Sequence, residues 1–257
     1  MRAASLLLFT AVALAQPPGS SPAYRLYEKA NALFVAKRLP ECQAALEEVL
    51  RLEPKLVPAL TLKAKVAMAV NRYDLARESL NQALAAEPDA WYARFLSGFL
   101  YHLQNELQLA LPELEIARRL NPRDPRAALY LGLTQESLGR TSEAIASYAE
   151  AIKLEEASGR VQADTLLTYA HLLLLLGRLD ECGQLISRAL KLEPDSRDAH
   201  YERARLLLKQ GDAAGAAREG EHALRLGGGI TERQIRYLLV RAYQALGPQG
   251  RREWKLV

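Results

Sequence analysis

The side chains with the greatest capacity for nucleophilic or metal chemistry are four histidines, His102, His171, His200 and His222, and two cysteines, Cys42 and Cys182. Metal capture needs such ligands at short, fixed spacings, as in CxxC pairs or HExxH on one helical face, and neither pattern occurs. Two cysteines are also too few for a disulfide framework. The triplet Gly227-Gly228-Gly229 lies in neither GxxxxGK[ST] nor GxGxxG, so it reads as a turn rather than a phosphate cradle. No G-x-S-x-G elbow or Ser/His/Asp arrangement supplies an activated nucleophile. These residues point to no catalytic centre, cofactor or metal. Spacing does single out Tyr92, Phe95, Phe99 and His102, which share one face of any helix that carries them. Rings on a helix face are recognition chemistry, and their alternative use is to fill space between helices.

The elements that position them are helices. Of 257 residues, 49 are Leu and 42 Ala, against 9 Val and 6 Ile. Leu and Ala favour helices, whereas strands draw on β-branched and aromatic residues. The 34 Lys+Arg and 30 Asp+Glu leave a net charge of +4, far from the basic stripe of a nucleic-acid binder. The run Leu172–Leu176 is too short to cross a bilayer and fits a buried helix.

Prolines organise these helices. Pro54, Pro88 and Pro122 are 34 residues apart, and Pro194 closes a similar segment, Leu190-Lys191-Leu192-Glu193. Proline is disfavoured within a helix and common just beyond one, so each marks a helix end. Inside each period two apolar stretches of helical spacing flank a short turn, and Gly139, Gly177, Gly211 and Gly247 stand where first helices should stop. Asp124-Pro125 and Pro40 mark helix starts. A period of this length identifies stacked repeats, since one hairpin cannot bury its apolar faces alone.

The segment Leu129-Tyr130-Leu131-Gly132, Leu138-Gly139, Glu143-Ala144 and Tyr148-Ala149-Glu150-Ala151 resembles the tetratricopeptide repeat family, with two antiparallel helices per 34 residues. Its small crossing residues recur as Ala30, Ala64, Gly98, Gly132, Ala170 and Ala204 on first helices, and as Cys42, Ala76, Ala110, Ala144, Cys182 and Ala216 on second helices. The resemblance implies an all-α, right-handed superhelical solenoid of antiparallel hairpins. Repeats are expected at about 23–56, 57–90, 91–124, 125–160, 163–196 and 197–230, with a partial seventh at 231–257. Three departures stand out. Pro112 should delay or kink its helix; Glu155 to Arg160 replace a closing proline; Gly215 and Gly220 should weaken theirs by about 1 kcal/mol each.

In this family ligands lie along the first helices, in the concave groove. Carried onto this chain, that face presents Tyr27, Asn31, Lys65, Tyr92, Phe95, Phe99 and His102, followed by Arg126, His171, Tyr201, Arg205 and Arg241. The implied partner is a peptide or helix of another protein, with no nucleic acid, small-molecule substrate or stable membrane span. A chaperone carboxyl terminus is disfavoured, because of the Lys/Asn clamp only Asn31 is present.

Met1-Arg2, the apolar run Ala3–Ala15 and the small-x-small triplet Ala13-Leu14-Ala15 read as a secretory signal peptide over 1–15, with a Pro/Ser-rich linker at 16–22. The expectation is therefore an exported scaffold, periplasmic or secreted after cleavage at Ala15 and membrane-tethered if uncleaved. The alternative is a non-catalytic accessory subunit of an enzyme or envelope assembly complex.

Overall fold

The computed structural model describes residues 21–247. The expected leader at 1–15, most of the linker and the tail beyond 247 lie outside the described residues. Within them the chain forms thirteen helices and no strand: α1 (Pro22–Val35), α2 (Leu39–Leu52), α3 (Val57–Ala69), α4 (Tyr73–Ala86), α5 (Trp91–Leu103), α6 (Leu107–Leu120), α7 (Pro125–Ser137), α8 (Thr141–Ala157), α9 (Ala163–Leu175), α10 (Leu179–Leu192), α11 (Arg197–Gln210), α12 (Ala213–Arg225) and α13 (Glu232–Ala245). The all-helical solenoid expected from the sequence is the fold observed. Packing divides the described residues into two compact units, one ending at Leu100 and the other beginning at Tyr101, inside α5.

Four of the six second helices, α2, α4, α6 and α10, end for one cause. Glu53, Glu87, Asn121 and Glu193 precede the periodic prolines and have left helical geometry, with φ between −131° and −142° and ψ between 80° and 93°. The proline ring crowds the residue before it out of the helical region, so the helix stops one residue earlier. First helices end differently. Gly139, Gly177 and Gly211 take the left-handed conformation (φ 72°, 75° and 87°), as their positions suggested. In the first three hairpins the same place is held by Lys37, Asn71 and Asn105, at φ 58–59°. Asparagine tolerates this region; lysine gains nothing from it.

In the first unit α1 packs on α2 and α3 on α4, while α2 and α1 also touch α3. Its core joins Ala30, Cys42, Leu46, Val49, Leu62 and Val66. In the second unit the pairs are α7 with α8, α9 with α10 and α11 with α12; first helices also meet, α9 on α11 and α11 on α13. The crossing residues inferred from the repeat are all buried. Gly132 shows why they are small: a Cβ there would stand 2.6 Å from the Tyr148 ring, itself fully buried.

Two expectations need correction. Pro112 does not delay α6, which begins at Leu107, in step with α2 and α4. Pro112 and Gln108, whose carbonyl loses its helical partner, both face solvent, so water can take up the missing hydrogen bond. Gly220 is not a defect in α12, because a Cβ there would stand 2.7 Å from Leu239; the glycine admits α13. The fourth copy is longer, as its missing proline suggested. Helix α8 has 17 residues, where α2, α4, α6 and α10 have 14, and α9 begins at Ala163, 38 residues after Pro125.

Candidate functional site

In the first unit the first helices bring together Tyr27 of α1, Lys65 of α3 and Tyr92 of α5. Lys65 Nζ stands 4.5 Å from the Phe34 ring centre and 5.9 Å from that of Tyr92, distances at which a cation is held by aromatic faces. Tyr24 and Tyr27 pack at 5.4 Å. Burial, then the neighbouring Tyr24, Tyr92 and Glu28, hold the Tyr27 hydroxyl above its usual pKa, so it remains a neutral donor. Asn31 is exposed. Phe95, by contrast, is 5% exposed and stacks between Tyr92 (6.0 Å) and Phe99 (6.3 Å), so it serves packing rather than presentation.

The second unit holds a groove in two adjoining parts. One, of about 710 Å³, is lined by His102, Glu136, Asp164, His171, Asp198 and Tyr201 among others. The other, of about 490 Å³, shares His171, Tyr201, Glu202 and Ile230 with it and continues over Arg205, Lys209, Tyr237 and Arg241. Of the six candidates in this unit, His102, His171, Tyr201, Arg205 and Arg241 line the groove. Arg126 does not. It folds back on the Asp124 carboxylate, with Nε–Oδ1 2.9 Å and Nη2–Oδ2 2.7 Å, at the start of α7. Burial pushes the Asp124 carboxyl up, but the hydrogen bonds and charge of Arg126 hold it below its usual value.

Side-chain contacts hold both groove imidazoles. Thr134 donates its hydroxyl proton to the Tyr130 carbonyl at 2.7 Å, so His102 Nδ1, 3.1 Å from Thr134 Oγ1, must be the donor there. That leaves His102 Nε2 as an acceptor, and burial lowers the pKa of this ring. His171 Nδ1 lies 2.6 Å from Arg205 Nη1 and 3.3 Å from Glu202 Oε1, so the imidazole sits against both members of that pair. The same Arg205 nitrogen stands 2.7 and 2.8 Å from the two oxygens of Glu202, a carboxylate only 9% exposed. The pair fixes the wall on which Tyr201 sits, with the guanidinium 5.9 Å from its ring.

Sequence reasoning missed Glu202, Asp164, Asp198 and Lys209. Glu202 is adjacent to a recognised position, but a charged residue on a helix ordinarily reads as solvent-facing. Asp198 was hidden because its role depends on a distant turn: it accepts from Ile230 N and lies against Gly229. The remaining histidines serve packing; His200 bonds to Glu219 (2.7 Å) and the Pro194 carbonyl (2.8 Å), beside His222. Both cysteines are buried free thiols. Among the described residues no three His, Cys, Asp or Glu side chains group so as to hold a metal, and no helix is long and apolar enough to cross a membrane.

Comparisons with known proteins agree with this architecture. Tetratricopeptide repeat family models match residues 61–115, 104–160 and 136–206, together more than half of the chain. Human tetratricopeptide repeat protein 13 is 32% identical over 108 residues, 42% of this chain and 12% of that protein. Human protein O-mannosyl-transferase TMTC3 is also 32% identical, over 120 residues, 42% of this chain and 13% of that protein. The chain thus spans about an eighth of the length of these curated relatives. The crystal structure of the APC/C hetero-tetramer Cut9–Hcn1 matches with a TM-score of 0.75 at 18% identity, covering 86% of this chain and 42% of that one. That likeness is one of fold.

Proposed function

Because the chain belongs to the tetratricopeptide repeat family, we propose that it is a non-catalytic interaction scaffold whose first-helix groove receives a peptide or helix of a partner protein. The observation that carries this reading is the groove of the second unit. Five of the candidate side chains converge there, two imidazoles are held by neighbouring side chains, and Tyr201 is braced by the Arg205–Glu202 pair. Aromatic and arginine side chains on a preformed wall anchor partners at little entropic cost. The Cut9–Hcn1 hetero-tetramer, an assembly containing the same fold, supports the related role of a subunit within a larger complex. The transferase name of one human relative covers 13% of that protein's length, and no nucleophile arrangement here argues for such chemistry.

Export belongs to the same proposal. Its support is the apolar run Ala3–Ala15 with its small-x-small end, and sequencing the amino terminus of the mature protein checks cleavage after Ala15.

A photo-crosslinking residue at position 237, which is 68% exposed in the groove, tests the binding reading against the same residue at Lys153 on the outer face of α8. A defined adduct from position 237, absent from 153 and lost on Tyr201→Ala, is expected in the native compartment. Equal adducts from both positions, or none from 237, would refute the groove as the binding surface.

A further inference from the structure

Resting on that reading of the groove, we propose that its occupant is an extended protein segment carrying a lysine or arginine and, about five residues away, an aspartate or glutamate. The groove is itself ordered by charge. Its larger part is lined by Glu136, Asp164 and Asp198 and by no lysine or arginine. Its smaller part is lined by Lys209 and Arg241, together with Arg205. Glu202 belongs to both parts, but Arg205 holds it at 2.7 and 2.8 Å, so the two cancel across the boundary.

The remaining charges are uncompensated. Glu136 accepts from the Tyr148 hydroxyl at 2.6 Å and Asp198 from the Ile230 amide, both neutral donors that leave the carboxylate charge in place. Among the described residues Asp164, Lys209 and Arg241 form no ion pair. A negative and a positive compartment side by side, with Leu167, Tyr201 and Ile230 as apolar lining, make a field that a dipolar segment satisfies and a uniformly charged one does not.

The spacing follows from helix geometry. Asp198, in the larger part, and Lys209, in the smaller, sit at opposite ends of α11, eleven residues apart. A helix rises about 1.5 Å per residue, which separates them by about 16 Å. An extended chain advances about 3.3 Å per residue, which sets the two complementary charges about five residues apart. Leu167 and Tyr201 favour an apolar or aromatic side chain between them.

Selection of displayed random 12-residue peptides against the full chain, and in parallel against Lys209→Glu/Arg241→Glu, tests this. Synthetic Lys-Gly-Leu-Tyr-Gly-Glu, Lys-Gly-Leu-Tyr-Gly-Lys and Glu-Gly-Leu-Tyr-Gly-Glu peptides in Gly/Ser flanks then measure the preference by fluorescence anisotropy. The wild type is expected to select peptides pairing one basic and one acidic residue, and to bind the Lys/Glu peptide about tenfold more tightly than either other. The double variant, with unchanged circular dichroism, is expected to reverse that preference in favour of Lys/Lys. Peptides that compete at the groove and are lost on Tyr201→Ala, yet show no paired charges or no reversal, would overturn the charge order and leave the groove reading standing. Recovery of no Tyr201-dependent peptide would overturn both.

Discussion

The Tyr148 ring lies so close over Gly132 that Cδ1 and Cε1 would both stand 2.6 Å from a β-carbon there. The relationship holds α7 against α8, and the Tyr148 hydroxyl completes it by donating to Glu136 at 2.6 Å. Gly132→Ala is therefore expected to destabilise the protein by about 1–3 kcal/mol through overpacking. Adding Tyr148→Leu removes the obstructing ring, so the double variant should lose less than the sum of the two single losses. Urea denaturation of the four proteins checks this; simple additivity would mean that the two side chains do not oppose each other.

Lys37 sits at φ 58°, where its counterparts in later hairpins are asparagine or glycine. A β-carbon makes that conformation costly, and among the described residues no side-chain hydrogen bond or ion pair of Lys37 offsets it. Lys37→Gly should stabilise the chain by about 0.5–1 kcal/mol, after the extra freedom of glycine in the unfolded state is subtracted. Asn71→Gly should change stability by less than about 0.5 kcal/mol. A melting temperature lowered by Lys37→Gly would contradict this account.

His102 is kept neutral by burial, its pKa lowered from 6.5. The unfolded chain accordingly takes up a proton before the folded one does. Stability from this residue is complete above about pH 6.5 and declines as pH falls toward the folded value. His102→Asn, which can still donate to Thr134, should narrow the gap in melting temperature between pH 7.5 and 5.5. An undiminished gap would assign the acid sensitivity to other groups.

Burial and the charge of Glu202 push the Cys182 thiol up to about 11, with Arg205 opposing, and burial likewise raises Cys42. At pH 8 only about one Cys182 in a thousand is thiolate, the form that reacts. Iodoacetamide should label neither cysteine in the native protein and both once it is unfolded, as mass spectrometry would register. Rapid native labelling would place a thiol at the surface.

Much of the fold was legible because its determinants are local. Pro54, Pro88 and Pro122 stop helices by steric exclusion of the residue before them, whatever the surroundings, and small residues at fixed intervals mark crossings. Part of the groove was legible too, since the family resemblance puts Tyr201, Arg205 and Arg241 on the first-helix face. Contacts between distant segments were not legible. Arg126 reads as a groove residue until Asp124 is seen to capture it. Phe95 shares a face with Tyr92 but meets enough neighbours to be buried. Glu155 stands in the sequence only as one of the residues replacing a closing proline, yet it is 2% exposed and accepts from Thr165 Oγ1 at 2.7 Å and Gln162 N at 3.0 Å, holding the start of α9.

That carboxylate turns a change of length into a phase marker. From α2 to α8 and again from α10 to α12, second helices begin 34 residues apart, whereas α10 begins 38 after α8. Four residues are about one helical turn. Excising 34 residues across this junction would strand Glu155 without its donors or leave α9 untethered, whereas excision elsewhere keeps each helix in register with its neighbour. Removal of one whole copy is thus expected to be tolerated before or after α8 and to fail across the junction.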